Sequence, residues 1–328
     1  MKERESNIEL LRIVSMFFIL VVHAAGASLG LPDILQAENW SNLSLMSKMT
    51  VESVSIIGVN CFVLISGYFG IRFKIKSLLK LCFMSLFYLF GIALLFFVVF
   101  PDKYDVSDLV KAFVIFPSND LWFIPAYIGL YVCAPAVNAV IDRLNKPALA
   151  VTAAVVITVN VIFGWIMKCE FNPYGYTVSH MIMLYVAGRA IRLLELPKYI
   201  SKKISVPAYI ISTAAILISS MYFNSRDAFA YNSPFVITAS VFFFIIFTRI
   251  SIKSRRINYI ASSALAVYLI HKCPQIWFGY ASTVRFLAAN LGYIPFALAV
   301  TLFVAVIFSV CIIIDKLTFS RIARYIGL

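Results

Sequence analysis

Glu9, Arg12 and His23 lie within one apolar run near the start of the chain, ELLRIVSMFFILVVH. Each residue type suits a different task. An arginine presents a planar fork of donors that matches a phosphate. A histidine can take a proton from a hydroxyl near neutral pH. A glutamate three residues before an arginine can pair with it on a helix. The spacing brings these tasks together. Eleven residues make about three turns plus ~20°, so Arg12 and His23 share one face of one helix, ~16 Å apart along its axis. A ligand with a phosphate head and a long, thin, reactive arm would span that distance. Coenzyme A has this shape: its nucleotide would stay at the helix end while its pantetheine arm carries a thioester inward. Other phosphorylated lipids also fit. The plain alternatives are an Arg12 that snorkels, neutralised by Glu9, and a His23 that only bonds a neighbouring helix.

Few other ionisable groups fall inside apolar runs, where they are costly and therefore informative. Glu52 is expected to cap the outer end of a span, and no carboxylate is expected in mid-membrane. Lys272 follows His271. His271 is expected ~21 Å from the inner edge of its span, nearly the depth of His23, so the two are expected to face a common cavity. The alternative for His271 is helix packing, and His180 is read as an interfacial residue. Asn60 suits a sugar hydroxyl or a neighbouring helix. Ser66 and Gly67 would let a thin arm pass close to backbone, or simply let two helices approach. Trp122 suits an aromatic belt or a stacked sugar. The six cysteines are scattered without metal-ligand spacing, so neither zinc nor a disulfide framework is expected.

The elements that must hold these residues are membrane helices. The chain has 328 residues and is 62% hydrophobic, with charged residues at only 13%, about half the usual soluble share. Its apolar blocks run to about twenty residues, enough to cross ~30 Å of hydrocarbon as helices. Ten spans are expected, near 8–30, 51–70, 78–100, 121–141, 148–167, 177–194, 206–223, 234–250, 257–280 and 293–315. They form a single all-α membrane domain covering 1–328. The basic N-terminus followed by small residues imitates a secretion signal. Glu3, Glu5 and Glu9 spoil its basic region, Arg12 interrupts its apolar core, and many spans follow.

A net charge of +13 would point to nucleic acid in a soluble protein, but here it sorts by loop. One set of loops carries most of the lysines and arginines, among them Lys2, Arg4, Arg72, Lys76, Lys80, Arg189 and Arg192. The alternate set carries most of the acids, including Asp33, Glu38 and Asp120. The positive-inside rule then places both termini in the cytoplasm, in a multi-pass protein of the cytoplasmic membrane.

At the Glu9–Arg12–His23 run the sequence resembles the membrane acyltransferase-3 family, whose first span carries an arginine, ten residues and a histidine. The similarity continues in VNCFVLISGYF (Ser66, Gly67, Tyr68), in LWFIPAYIGLYVCAP (Trp122, Tyr131, Pro135) and in SALAVYLIHKCP (Tyr268, His271). The resemblance implies transfer of an acyl group, most simply acetyl, from cytoplasmic acyl-coenzyme A to a hydroxyl of a cell-surface or lipid-linked glycan. It implies His23 as the base, with Arg12 and Glu9 holding the donor. Arg72, Lys76, Lys80, Ser66 and Gly67 would line the coenzyme path, and Asn60, Trp122, Tyr127 and His271 the acceptor path. No metal is implied.

Two departures matter. Many members have Arg-x-x-Arg at the start of the third span, where RFKIKSLLKL supplies Arg72, Lys74, Lys76 and Lys80 without that spacing. Some have a glutamate five residues after the tryptophan, where Tyr127 stands. No appended extracellular esterase-like domain is expected. The rival class is a transporter or flippase of a glycan or lipid-linked intermediate, which would call for mid-membrane carboxylates or inverted repeats. An enzyme acting on a lipid or small molecule is a third possibility. Nothing in the pattern specifies an oligomer.

Overall fold

The computed structural model describes residues 5–31, 42–113 and 121–325, and the described residues are helical without a strand. Lys2, Arg4, Asp33, Glu38 and Asp120 of the charge pattern lie outside them. Among the described residues, seven helical segments are long and apolar enough to cross a membrane: Ser6–Ser28, Leu43–Phe69, Ile75–Val99, Phe123–Ile141, Lys146–Ile166, Lys202–Ser219 and Tyr293–Tyr325. This is a multi-pass membrane protein.

The expected count of ten differs for physical reasons. The helix at 178–193 has 16 residues and that at 234–248 has 15, each short of the ~20 that span hydrocarbon unaided. The expected ninth span is not one rod. It divides into Arg255–Ala261, Ala264–Lys272 and Pro274–Asn290, and Pro274 opens the last of these after a non-helical Cys273. Proline supplies no N–H and favours a helix start, so it ends one helix and begins another. The depth expected for His271 assumed one straight helix from residue 257, whereas the chain already turns at Ser262–Ser263 before it.

The chain forms two compact units, residues 1–72 with 126–258 and residues 73–125 with 259–328. In the first unit, α1 (Ser6–Val22) continues into a π-helical turn, His23–Ser28. α2 (Leu43–Ser55) starts where the Asn42 side chain accepts the amide of Leu45, and it leads through a short turn into α3 (Gly58–Phe69). The remaining long helices of this unit are most of α6 (Phe123–Ile141), α7 (Lys146–Val159), α8 (Val178–Leu193), α10 (Lys202–Ser219) and α12 (Pro234–Thr248), with α9 (Leu196–Tyr199) and α11 (Ser225–Ala228) as single turns. Capping follows the sequence: Asn145 caps α7 through Ala148, Thr177 caps α8 through His180, and Asn224 caps α11 through Asp227.

α3 is the core helix of this unit, packed on α1, α8 and α12. Its crossing with α8 is made by two glycines. A Cβ on Gly67 would overlap the Tyr185 carbonyl, and one on Gly188 would overlap that of Leu64. Small residues at such a crossing let two backbones meet where no hydrophobic effect drives helices together.

In the second unit, α4 (Ile75–Val99) and α5 (Val106–Phe113) join α14 (Ala264–Lys272), α15 (Pro274–Asn290), α16 (Tyr293–Leu317) and α17 (Phe319–Tyr325), with the last three residues of α13 (Arg255–Ala261). α14 packs on both α4 and α16.

Candidate active site

α1 is regular from Ser6 to Val22, so Glu9, Arg12 and His23 lie on one face as their spacing requires. Glu9 Oε2 accepts from Arg12 Nε at 3.3 Å, and Glu9 is buried while Arg12 is partly open. One turn earlier on this face, Glu5 receives Arg192 at 3.4 Å, and Arg192 also donates to the Tyr68 hydroxyl at 2.7 Å. The N-terminal end of α1 thus carries two carboxylate–guanidinium pairs in succession. At its other end the helix loosens at His23. The carbonyl of His23 accepts from Ser28 Oγ at 2.7 Å across the π-helical turn, and the side chain is half-buried. Such turns are uncommon and recur at functional sites.

Glu52 faces that turn. It sits nine residues into α2, inside the Leu43–Phe69 segment and ~14 Å from its start, and it is 3% exposed. Glu52 was expected to cap the outer end of a span; the helix instead starts upstream at Asn42 and runs on through Glu52. Asn42 starts the helix well before residue 51, and the polar stretch LSLMSKMTVES hides it from a hydropathy reading. One Glu52 oxygen takes the Gly26 amide.

The exit from α3 is clamped within the first unit. Tyr185 accepts the Ile71 amide at 2.8 Å and donates to Asn138 Oδ1 at 2.8 Å, and the Asn138 amide donates to the Ile71 carbonyl at 2.9 Å. Ser66 Oγ lies 3.0 Å from the Tyr127 hydroxyl, which brings together two of the expected residues. Gly67 is filled by its contact with α8, so it serves helix approach on that side. Arg72 is exposed just beyond the clamp. A cavity of about 470 Å³ lined by Lys202, Thr248, Arg249, Ile250 and Ser251 opens where α10 begins and α12 ends; none of its residues stood out in the sequence.

Asn60 and His180 belong to one buried polar chain. Asn60 Nδ2 donates to the Tyr231 carbonyl at 2.9 Å, which turns its oxygen toward His180 Nε2 at 3.1 Å. That oxygen can only accept, so Nε2 carries the proton and Nδ1 accepts from Asn160 Nδ2 at 3.0 Å. Asn160 Oδ1 takes Asn172 Nδ2 at 2.5 Å, and Asn172 Oδ1 takes the Thr177 hydroxyl at 2.7 Å. Every donor points the same way along the row. His180 is thus a fixed, neutral packing histidine, and Asn60 spends both ends of its amide inside the protein.

The second unit holds Lys76, Lys80, Trp122 and His271. Lys76 is exposed on the first turn of α4, and Trp122 meets Phe123 edge-on. His271 is fully buried between Tyr268 and Tyr280 and donates from Nδ1 to the Val267 carbonyl at 2.6 Å, so the neutral ring keeps its lone pair on Nε2. Lys272 lies 4.1 Å over the Trp277 ring. His23 belongs to one unit and His271 to the other, so the cavity expected to join them is a property of neither taken by itself. Among the described residues no three His, Cys, Asp or Glu side chains cluster to hold a metal ion, and the cysteines are free.

A family model for an acyltransferase domain matches residues 5–314, nearly the whole chain and both units. The chain belongs to the acyltransferase-3 family. It is a membrane acyltransferase. No curated protein and no solved structure matches it. In this acyltransferase the family model begins at Glu5, so the paired carboxylates of α1 and the π-helical turn at His23 fall within the matched region.

Sequence reasoning took Arg192 only as an orientation charge and missed Tyr185, Asn138 and the Asn160–Asn172 row, whose partners come from distant parts of the chain. It also passed over Asp315, buried in α16. For Arg192 a signal existed: it is three residues from Arg189 on α8, so two guanidinium groups recur on one helix face.

Proposed function

We propose that this acyltransferase moves an acyl group, most simply acetyl, from cytoplasmic acyl-coenzyme A to a hydroxyl of a cell-surface or lipid-linked glycan. The observation that carries the reading is the single α1 face with a carboxylate-held Arg12 at one end and a half-buried His23 opening a π-helical turn at the other. Arg12, braced by Glu9, holds the phosphate or pantetheine of the donor. His23 takes the proton of the acceptor hydroxyl as its oxygen attacks the thioester carbonyl. The attack forms the C–O bond; the tetrahedral adduct then collapses, breaking the C–S bond and expelling the coenzyme A thiolate, which takes the proton from His23. Arg72, Lys76 and Lys80 supply further phosphate contacts, with Ser66 and Tyr127 along the path and Trp122 and His271 toward the acceptor. Both termini lie in the cytoplasm, ten helical segments are embedded, and the short ones at 178–193 and 234–248 are carried within the bundle.

The transporter reading loses its rival standing on family membership, not on the absence of a buried carboxylate, since Glu52 is one. Purified protein given radiolabelled acetyl-coenzyme A and cell-envelope glycan separates the two. Label on the glycan supports transfer, whereas passage of unmodified glycan across a vesicle supports transport. His23→Ala is expected to lower transfer by ~10²–10⁴-fold with insertion and folding intact. Full transfer by this variant would end the proposal.

A further inference from the structure

Glu52 is the buried group that this reading leaves unused. One carboxyl oxygen takes the Gly26 amide; among the described residues the other, Oε2, has no hydrogen-bond partner. An unsatisfied buried polar oxygen destabilises the fold, and a hydrophobic or small side chain would carry no such cost. The close fit is specific. A Cβ on Gly26 would stand 2.7 Å from Glu52 Oε1, so the turn approaches the carboxyl only because residue 26 has no side chain. Lys48, one turn earlier on α2, donates to the Gly30 carbonyl at 2.8 Å, two residues past that turn, and ties the chain there to the same helix. α2 therefore holds the π-helical turn and the chain just past it, and leaves one acceptor atom over.

Aromatic and basic side chains lie near this carboxyl. The Tyr176 phenol lies within electrostatic reach of both Glu52 and Arg226. Tyr176 is 44% exposed and meets Tyr231 edge-on, with ring centroids 5.2 Å apart. Arg226 lies 4.1 Å over the Tyr174 ring. Partly exposed tyrosines beside a carboxyl offer sugar rings an apolar face to lie on and acceptors for their hydroxyls.

We propose that the spare Glu52 oxygen and the Tyr176 phenol form the acceptor subsite, binding a polyhydroxylated sugar at the turn that His23 opens. The inference rests on the acyl-transfer reading and assigns the acceptor end of that site. Glu52 accepts a hydrogen bond from a sugar hydroxyl and leaves the proton transfer to His23, so it is a positioning residue.

Two measurements test it. Labelling of membranes with dicyclohexylcarbodiimide, mapped by peptide mass, is expected to modify Glu52 and to be slowed at least fivefold by cell-envelope glycan from cells lacking the protein. This arm needs no catalysis, so protection without transfer would remove the acyl-transfer reading and leave the sugar subsite standing. Unmodified Glu52, or labelling indifferent to the glycan, overturns the subsite. In the second arm, Glu52→Gln keeps the Gly26 contact but replaces an acceptor with an amide. It is expected to raise the glycan KM about 10-fold or more, the loss of one hydrogen bond to a carboxylate, with acetyl-coenzyme A affinity unchanged within twofold. A glycan KM within twofold of the parent, or equal losses in both substrates, means that Glu52 serves only the fold.

Discussion

Two buried carboxylates, one in each unit, have opposite surroundings. Asp315 on α16 is 1% exposed and saturated. It accepts from Tyr88 at 2.7 Å, Ser263 at 2.6 Å and Ser320 at 2.8 Å, with Lys316 at 4.0 Å. These partners come from α4, the turn before α14, and α17, so one side chain fastens four parts of its unit. Glu52 is 3% exposed and has a single backbone donor for its two oxygens. The difference teaches how to read polar groups inside a membrane protein. Burial alone marks neither function nor structure. A saturated carboxylate has nothing left to offer a ligand, and an unsaturated one does.

The comparison can be broken most sharply at Asp315. Asp315→Ala strands three hydroxyl donors and is expected to cost on the order of 3–5 kcal/mol, seen as a fall in unfolding temperature in detergent. Glu52→Ala should cost only ~1 kcal/mol on the same assay while lowering acyl transfer. Equal losses of stability would erase the distinction.

The histidines repeat the contrast. His180→Ala removes bonds at both ring nitrogens and leaves Asn60 and Asn160 with unmet groups, for an expected ~2–3 kcal/mol loss of stability. His23→Ala should leave the unfolding temperature nearly unchanged and remove transfer. A His180 variant of normal stability would show that the polar row is not structural.

The smallest effect is expected where a pair reaches water. Lys168 donates to Asp227 Oδ2 at 2.7 Å, but half of its side chain is exposed. The hydrogen bond to Asp227 raises the Lys168 pKa above 10.5. Its contribution is therefore full below 10.5 and is lost as pH rises through the higher folded value. Lys168→Met is expected to cost ~0–1 kcal/mol at pH 7, and the difference from the parent should vanish in strongly alkaline buffer. A larger gap at high pH than at neutral pH would reverse the sign.

Much of the molecule was legible along the chain. The class follows from apolar blocks of spanning length, and the shared face of Glu9, Arg12 and His23 from helical geometry over eleven residues. Both are local and periodic. The harder features involve partners far apart in sequence. Ser66 meets Tyr127 across 61 residues, and Asn60 meets His180 across 120. Glu52 was placed at a helix end because polar residues precede it, although Asn42 begins the helix upstream. The straight ninth span failed at Cys273–Pro274, a break that the sequence does show and that hydropathy averaging smooths over.

By itself, then, the sequence determined that this protein is helical, that it lies in a membrane, and which face of α1 carries an arginine and a histidine. A helix repeats every 3.6 residues and a bilayer has one thickness, so spacing suffices for these. Tertiary structure decided what each polar group has left to give. It consumed both ends of Asn60, filled the space at Gly67, fixed His180 as a neutral strut, saturated Asp315 and left one oxygen of Glu52 over. Hydrogen bonds close over a few ångströms in space whatever the distance along the chain, and only the folded arrangement decides which are made.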